Sequence, residues 1–530
     1  MKKLVIILAI MNLCRLAEAQ PLDWSFSVGA TGHEGIHGYT VDKDSNLLVT
    51  GIFDVRADFD PGPDSLFLEP NGNNDIFVTK LDISGNLIWA KSFGGTQLDY
   101  VYSIAVDQAG SVYITGYYRG EVDFDPGPGV EIRSSITADR MYLLKLDSNG
   151  DFVWVKSIGN EYSTEGRQVV VDDFGNLFLA GSMTDTVDFD DGPGYLPVNT
   201  TMFGMFVSRF DTAGTVYWAR ATTASNFSII TQVSVFNNEI YIIGNFRGTM
   251  DADPGSGVVS VHSSLHRDAF LLKWDYSGDF ESVQVFGQGD APASPQSITT
   301  DDFGNVYLAG IFEDSSDFDP GPGEHYLYAE GDQDLWLTKV GPNGNLKWAK
   351  SYGSPQSSSN NVGLSLDPAG NVFVACSYES PINFGGTSGT TMAVPAGHTG
   401  SCIVMLDTMG EPLWMKCVNG IAAWLGGALY ANGSVYWAGQ FRDTLYHDLG
   451  GIPTSIISPG TNQGTPDYDG VLFKISPPQQ DYVFPGDANY DQVANNFDFL
   501  QLGVFYGNTG LVRQNANLEL TAQAANYWGS

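Results

Sequence analysis

One phrase of the sequence returns about every 65 residues, and this repetition limits the possible fold more than any other feature. The phrase ends in a Trp-centred segment, whose equivalent positions are Trp24, Trp89, Trp154, Trp218, Ser282, Trp348 and Trp414. A second phrase, of the type Val-Tyr-x-x-Gly, lies between these positions and has its earliest copy at residues 46–51. Self-similarity at a fixed period predicts that each copy is one structural unit.

Each copy has the chemistry of short β-strands. The segments are rich in β-branched and aromatic residues and are separated by Asp, Asn and Gly. One copy offers four strands, at residues 102–106, 112–115, 141–146 and 152–157. Several strands are apolar on consecutive residues, which predicts that both of their faces are buried. Four-stranded units at this period predict an all-β fold, a seven-bladed β-propeller of four-stranded blades.

The two ends of the repeat region complement each other. The chain opens with a lone fourth strand at residues 23–27, and the last copy ends with a third strand at residues 471–475. We therefore predict that the N-terminal strand completes the final blade and closes the ring, which removes an exposed sheet edge. The propeller is predicted to span residues 20–476.

The repeat resembles the β-propeller repeat family of exported bacterial proteins that is widespread in the Bacteroidetes. The resemblance rests on three phrases: Leu-Asp-x-x-Gly-Asn-x-x-Trp-Ala-Lys-Ser, Val-Tyr-x-x-Gly and Asp-Phe-Asp-Pro-Gly-Pro. It covers nearly all of residues 22–476. It implies a propeller fold and export, and it implies little about activity because propellers support many functions.

The N-terminus and the charge favour a secreted or cell-surface protein. Residues 1–19 have the pattern of a signal peptide: Lys2 and Lys3, an apolar run, and a small-residue cleavage site before Gln20. No later apolar stretch is long enough to span a membrane. The formal charge of −36 would repel phosphate backbones, so nucleic acid is excluded as an expected partner.

Connection lengths predict where a ligand would bind. Tight Asp-x-x-Gly turns, such as residues 107–110 and 147–150, join alternate pairs of strands and therefore share one face. Long connections, such as residues 94–101 and 117–138, lie on the other face. Because binding residues are often carried on loops above a rigid scaffold, we expect a protein or glycan ligand on the long-connection face.

The long connections carry a recurring Asp-Phe-Asp-Pro-Gly motif with two alternative interpretations. Two carboxylates at i and i+2 in a turn opened by Gly could bind calcium. Alternatively, Pro and Gly fix a rigid turn in which Asp caps its own backbone. The candidate ligands for these weaker metal loops are Asp58 and Asp60, Asp123 and Asp125, Asp188 and Asp190, Asp251 and Asp253, and Asp317 and Asp319.

A second calcium candidate follows the propeller. Residues 477–484 form a Pro- and Gln-rich linker, and residues 485–530 begin with oxygen-bearing residues at EF-hand spacing, followed by a predicted short helix at 499–506. The segment resembles an incomplete dockerin domain with one calcium loop. That resemblance implies Ca²⁺ ligation by the side chains of Asp487, Asn489, Asp491 and Asp498 and the carbonyl of Val493. Gln492 departs from the pattern because a Gly normally permits the turn there.

Catalytic signals are weak. No nucleophile elbow, phosphate loop or zinc cysteine pair occurs, and no catalytic residue is assigned. His33 and His37 are four residues apart, but the sequence predicts a loop there rather than a helix. The repeated Trp residues are interpreted as core rather than as a sugar-binding platform.

Three cysteines follow the signal peptide, and two of them could form a disulfide. Cys402 and Cys417 are predicted to be opposite each other across a hairpin. Export permits a bond between them, although directly opposed strand positions favour two buried thiols instead.

These observations leave three functions open. The sequence favours a secreted, non-catalytic binding or scaffold protein, because the repeat is regular and has no catalytic insertion. The first alternative is a carbohydrate-active enzyme, suggested by the dockerin-like segment. The second is a surface adhesin stiffened by calcium.

Overall fold

The described part of the chain is built from β-strands. A computed structural model of the protein describes residues 22–29, 32–289, 291–353, 359–379, 382–385, 391–392, 399–447, 454–458 and 468–477, and no helix occurs among them. The predicted signal peptide, the linker beyond Pro477 and the whole predicted calcium segment with its helix lie outside the described residues. The all-β prediction is confirmed.

The strands alternate between long ones, which build the sheets, and short ones within the connections. In chain order they are β1 (Leu22–Val28), β2 (Gly35–Val41), β3 (Leu47–Phe53), β4 (Ala57–Asp58), β5 (Phe67–Leu68), β6 (Asp75–Leu81), β7 (Leu87–Gly95), β8 (Asp99–Val106), β9 (Val112–Asp123), β10 (Ile132–Leu146), β11 (Phe152–Ile158), β12 (Thr164–Val171), β13 (Leu177–Asp188), β14 (Pro197–Phe210), β15 (Val216–Thr223), β16 (Phe227–Phe236), β17 (Glu239–Arg247), β18 (Thr249–Asp251), β19 (Ser260–His262), β20 (Asp268–Asp275), β21 (Phe280–Phe286), β22 (Gln288–Gly289), β23 (Ala293–Thr300), β24 (Val306–Phe312), β25 (Ser315–Asp317), β26 (Tyr326–Tyr328), β27 (Asp334–Val340), β28 (Leu346–Tyr352), β29 (Ser359–Leu366), β30 (Val372–Tyr378), β31 (Ile382–Asn383), β32 (Thr391–Met392), β33 (Thr399–Leu406), β34 (Pro412–Ala431), β35 (Ser434–His447), β36 (Thr454–Ile457) and β37 (Asp469–Ile475).

Antiparallel pairing groups the long strands into four-stranded units. The first unit is β2-β3-β6-β7, the second β8-β9-β10-β11, the third β12-β13-β14-β15, the fourth β16-β17-β20-β21 and the fifth β23-β24-β27-β28. The sixth is β29-β30-β33 with the first half of β34. The last consists of the second half of β34, then β35, β37 and β1.

The core lies between consecutive units. The second and third strands are buried on both faces, as the runs of consecutive apolar residues predicted, and β3, β6 and β37 are buried along their whole length. One apolar cluster joins Phe26 and Leu47 to Tyr436 and Leu472, so the first unit packs against the last as it does against the second. Burial of this apolar surface is the main force holding the units together.

The first strands of consecutive units lie side by side, and side chains satisfy their unpaired edges. A β-bulge interrupts each first strand, at His37, Tyr102 and Arg167 in the first three units. Beyond the bulge, backbone N–H groups donate to a side chain of the preceding unit, as Val233 does to Gln168 and Ile298 does to Gln232 at 2.7 Å. Satisfying these donors matters because a buried, unpaired N–H is costly.

The tight turns are formed as predicted. In the turn at residues 147–150, the N–H of Gly150 donates to the carbonyl of Asp147 at 3.0 Å, and the Asp147 carboxylate accepts from two backbone N–H groups. Gly150 has φ of +79°, which a residue with a side chain rarely adopts. Gly also leaves room for Trp89 of the preceding unit, which lies over it.

At five repeat positions a Trp joins its unit to the next. The indole Nε1 of each Trp donates to the carbonyl of the residue after the turn Asp in the following unit. The pairs are Trp89 and Ser148 at 3.1 Å, Trp154 and Thr212 at 3.2 Å, Trp218 and Tyr276 at 3.2 Å, and Trp348 and Thr408 at 3.1 Å. Trp24 of β1 makes the same bond to Ile83 at 3.0 Å.

Two structural expectations are corrected. The connection at residues 117–138 is largely strand: β9 and β10 continue past the sheet and pair from Asp123 with Ile132 inward. Cys402 and Cys417 are opposed across β33 and β34, as predicted, but they form a disulfide rather than two thiols. Cys376 is a buried free cysteine.

Candidate functional site

The ends of the units that carry the long connections, here called the long-connection end, hold a cluster of aromatic and charged side chains. Three consecutive first strands, β2, β8 and β12, contribute His37, Tyr102 and Arg167 at their bulges. A bulge bends its strand and turns a side chain away from the regular alternation, and bulges are common next to active sites. Because these strands lie side by side, the three residues come together although about 65 residues separate each from the next.

Aromatic rings form the centre of the cluster. Tyr100 and Tyr117 stack with their rings nearly parallel, at 9° and with centroids 5.6 Å apart. Tyr102 packs against both, with centroid distances of 4.8 Å to Tyr100 and 6.0 Å to Tyr117. The His37 ring meets Tyr100 edge-on at 4.7 Å. The three tyrosine side chains are partly exposed, whereas the Nε2 atom of His37 is buried.

Hydrogen bonds and an ion pair hold the rings in place. The Tyr100 hydroxyl lies 3.1 Å from Nδ1 of His37, and the Tyr102 hydroxyl donates to Oε2 of Glu165 at 3.3 Å. Arg167 donates to the same carboxylate oxygen at 2.8 Å, and its guanidinium lies 5.1 Å from the centre of the Tyr102 ring. This combination of ion pair and cation–π contact fixes both partners in one geometry.

Burial sets the protonation of the cluster. It lowers the pKa of His37 to about 4, with a further contribution from His33, so the imidazole is neutral at physiological pH. Burial and the neighbouring Tyr117 raise the pKa of Tyr100 to about 12, so its phenol stays protonated. The cluster therefore offers a neutral imidazole and a protonated hydroxyl in contact, a combination suited to hydrogen bonding.

Two further groups border the cluster. Arg119 is half-exposed and forms an ion pair with Asp139, whose carboxylate also accepts a hydrogen bond from Ser163 at 3.3 Å. Asp99, at the start of β8, is fully buried. Burial, together with the charge of Asp75, raises its pKa to about 7, although a hydrogen bond from the Gly95 N–H opposes this shift.

The predicted Asp-Phe-Asp loops form the tips of the hairpins at this end, and they share one geometry. In the second unit, Oδ1 of Asp123 accepts from the N–H groups of Asp125 and Glu131 at 3.1 and 2.8 Å. Oδ1 of Asp125 accepts from Gly127 at 2.7 Å. Equivalent bonds are made by Asp58 and Asp60, Asp188 and Asp190, Asp251 and Asp253, and Asp317 and Asp319.

The apolar residue between the two carboxylates explains why the motif recurs. Phe124 is completely buried and packs against Tyr118 and Tyr142, and Phe59, Phe189 and Phe318 are buried in the same way. The loop thus folds back onto the core, anchored by its Phe and capped by its Asp residues. This geometry agrees with the rigid-turn interpretation, since the carboxylates already serve backbone donors.

The calcium ligands predicted beyond the repeats are not tested by the structure. Asp487, Asn489, Asp491, Val493 and Asp498 lie outside the described residues. Between residues 22 and 477, wherever the chain is described, no group of three or more His, Cys, Asp and Glu side chains could hold a metal ion. The same residues contain no helix long and apolar enough to cross a membrane.

Sequence reasoning expected a binding surface on the long connections, whereas these residues lie on strands and were not singled out. His37 was assigned to a loop, whereas it lies in β2. A signal was available: one repeat position carries His37, Tyr102 and Arg167 in turn, and the position two residues earlier carries Gly35, Tyr100 and Glu165. Positions that change within an otherwise regular repeat are where a repeat protein acquires a site.

Comparison with known proteins identifies the repeat. Residues 88–117, which include Tyr100 and Tyr102, match the family model described as Beta-propeller repeat. Residues 88–117 therefore carry a β-propeller repeat. An uncharacterized WD repeat-containing protein of Acanthamoeba polyphaga mimivirus is 22% identical to this chain over 408 residues, which are 63% of its length. The match spans 29% of that relative's length.

Solved structures with a similar arrangement of strands include a polysaccharide lyase, an ulvan lyase. It has a TM-score of 0.43 and 11% identity, and the match covers 78% of this chain and 93% of the lyase. A protein of unknown function from Bacteroides caccae has a TM-score of 0.29 and 12% identity, with 63% and 95% covered. These values are too low for either protein to inform the ligand of this one.

Proposed function

We propose that this protein is an exported, seven-bladed β-propeller that binds a glycan at its long-connection end without cleaving it. The observation that carries the proposal is the cluster of Tyr100, Tyr102 and Tyr117 with Glu165 and Arg167 on adjacent first strands. The four-stranded units are the blades, and β1 closes the ring.

The contacts of β1 support ring closure. Trp24 bonds to Ile83 of the first unit as every other repeat Trp described above bonds to its following unit. Lys474, opposite Trp24 on β37, donates to the same Ile83 carbonyl at 2.9 Å, and Lys145, opposite Trp154, donates likewise to Thr212. The junction between the last and the first unit thus has the chemistry of the other junctions.

The chemistry of the cluster supports a glycan ligand. A sugar ring presents C–H groups on one face and hydroxyl groups around its edge. Tyrosine rings suit the apolar face, while a carboxylate accepts hydrogen bonds from the hydroxyls and a guanidinium donates to them. The Tyr102, Glu165 and Arg167 side chains are already fixed by mutual contacts, so little conformational entropy is lost on binding.

A polysaccharide array probed with the full chain tests this function. We expect retention of at least one glycan, with binding weakened about tenfold or more by Tyr102→Ala or Arg167→Ala. Tyr217→Ala is the matched control, because Tyr217 is an exposed tyrosine on the outer strand of the third unit. Absence of any bound glycan, or equal binding by all variants, would refute the proposal.

A second function, glycan cleavage by acid–base chemistry, is favoured by the contact between His37 and Tyr100. The neutral imidazole could accept a proton and the protonated phenol could donate one. Reducing-end or unsaturated-product assays on each glycan retained by the array would detect turnover. Turnover lost in Tyr100→Phe with binding retained would establish this function in place of simple binding.

Calcium binding, export and surface adhesion remain proposals that rest on the sequence. Titration of the full chain with Ca²⁺ should reveal a site that Asp487→Ala combined with Asp491→Ala removes. Calcium-dependent self-association that is independent of any glycan would favour the adhesin. Recovery of the protein outside the cell, processed before Gln20, would establish export.

A further inference from the structure

One junction between units lacks the Trp that joins the others. The repeat position occupied by Trp89, Trp154, Trp218 and Trp348 is occupied by Ser282 in the fourth unit. Ser282 lies on β21, opposite Lys273 of β20, in the same register in which Trp154 lies opposite Lys145. A hydroxymethyl group therefore stands where the other junctions have an indole ring.

The missing ring leaves a notch at the tight-turn end between the fourth and fifth units. A cavity of about 390 Å³ lies there. This volume is more than twice the roughly 150 Å³ that is sufficient to bind benzene in an apolar protein cavity. We call it the Ser282 notch, and it is lined by Tyr241, Lys273, Glu281, Ser282, Gln284 and the turn from Gly341 to Gly344, together with apolar side chains at its base.

The walls of the notch match those that hold an indole elsewhere. In the second unit, the ring of Trp154 lies 6.2 Å from that of Tyr113, and Trp348 lies 6.3 Å from Tyr307 in the fifth. Tyr241 is the equivalent tyrosine at the notch. No indole lies against it, but its side chain is only 3% exposed. Lys273 lies over its ring at 5.7 Å, as Lys145 does over Tyr113 at 5.1 Å.

The hydrogen-bonding groups of the notch are arranged for an N–H donor. The acceptors at the other junctions are carbonyls one residue after the turn Asp, and Pro342 holds that position in the fifth unit. Gln284 bonds to Gly344 instead, so it does not replace the indole at Pro342.

The charge of the notch disfavours anions. Lys273 forms ion pairs with Glu239 at 2.6 Å and Glu281 at 3.2 Å. Burial lowers the pKa of Lys273, but the hydrogen bonds and charges of these carboxylates outweigh it and raise the pKa above its usual value. Two carboxylates around one ammonium leave the wall negative, on a molecule whose formal charge is −36. A neutral or cationic ligand is therefore preferred to an anionic one.

We propose that the Ser282 notch binds a planar aromatic ring bearing an N–H donor, of the indole class, with a neutral or cationic substituent. The ring lies above Ser282 between Lys273 and Gln284, and its N–H donates to the carbonyl of Pro342. The ligand thus completes the contact that tryptophan makes within the chain at the other junctions. For a ligand of this size, a dissociation constant of about 100 μM is expected.

Isothermal titration of the full chain with indole, tryptamine and indole-3-acetate tests this site. We expect tryptamine and indole to bind and indole-3-acetate to bind at least tenfold more weakly. Ser282→Trp should abolish binding by filling the notch and should raise the melting temperature. Ser282→Ala is the matched control, because it leaves the notch open and should retain the affinity of the parent.

A second variant creates the site elsewhere. Trp154→Ser should open an equivalent notch between the second and third units, giving two binding sites per chain. Binding that persists in Ser282→Trp, or no binding of indole or tryptamine to the parent, would overturn the proposal. If Trp154→Ser fails to fold, the comparison of Ser282→Trp with Ser282→Ala decides the question alone.

Discussion

The two ends of the strands differ in how far their side-chain contacts repeat from unit to unit. At the tight-turn end, the units repeat the same contacts: an Asp caps the turn, a Gly opens it, and the Trp of the preceding unit donates to its carbonyl. At the long-connection end, equivalent positions of the first strands carry His37, Tyr102 and Arg167, which differ in shape and charge. The tight-turn contacts recur between units, whereas the first-strand positions at the long-connection end vary, although the Asp-Phe-Asp tips there are repeated.

This difference separates stability from recognition. A contact that repeats around the units joins each one to its neighbour, and the fold depends on all of these junctions. A side chain that occurs once can be specific for a ligand without disturbing the scaffold. Ser282 is the informative exception, because it introduces variation at the uniform end, and a cavity results.

The largest loss of stability that we expect from truncating one side chain is at a uniform junction. Trp348→Ala removes the bond to Thr408 and the contact with Tyr307 of a partly buried side chain, so we expect the free energy of unfolding to fall by about 2–3 kcal/mol. Tyr102→Ala, at the long-connection end, should cost less than about 1.5 kcal/mol because it removes a smaller ring and a longer hydrogen bond, of 3.3 Å, to Glu165. Urea denaturation followed by circular dichroism measures both, and equal losses would remove the distinction between the ends.

Replacing the buried carboxylate of Asp99 should stabilise the protein, which would show that the long-connection end is not optimised for stability. Asp99 has a pKa near 7 in the folded protein and an ordinary value of 3.8 when unfolded, so it destabilises the fold increasingly as the pH rises from 3.8, and the penalty is complete above pH 7. Asp99→Asn mimics the protonated acid and should stabilise the protein by about 2–4 kcal/mol at pH 8 and not at pH 4. Melting temperatures of parent and variant across this range provide the measurement. A variant that is less stable at pH 8 would contradict the assignment.

Lowering the pH should reduce the stability of the folded protein, because His37 at the long-connection end is harder to protonate when it is folded. The pKa of His37 is about 4 when folded and 6.5 when unfolded. Its contribution to stability is therefore complete above pH 6.5 and is lost as the pH falls toward 4, by about 2–3 kcal/mol. His37→Gln should flatten the stability profile between pH 6.5 and 4 relative to the parent. An unchanged slope would mean that His37 is accessible to protons in the folded protein.

The smallest effect is expected at a hairpin tip. Asp123→Ala with Asp125→Ala removes three accepted backbone hydrogen bonds but leaves Phe124 in the core, and should cost about 1–2 kcal/mol in the presence of a chelator. Melting curves with EDTA and with calcium separate the two interpretations of the motif. A larger loss in calcium would show that these carboxylates also bind the cation.

Sequence reasoning predicted the features that repeat from unit to unit and missed those that occur once. The period of the Trp positions, the Asp-x-x-Gly turns and the buried strands could all be predicted, because each depends on residues close in sequence. The disulfide between Cys402 and Cys417 could not, since register alone does not decide between two opposed thiols and a bond. His37, Tyr100 and Glu165 were missed because no local pattern relates residues 63 and 65 positions apart.

By itself, the sequence determined that this protein is a series of four-stranded units with uniform turns, because strand propensity, turn chemistry and repetition are written into every copy. Tertiary structure decided which side chains meet. Placing the first strands side by side assembled the tyrosine cluster, and packing each unit against the next turned one absent Trp into a cavity. Such contacts depend on distances between chain segments far apart in sequence, and only the packing of the units sets those distances.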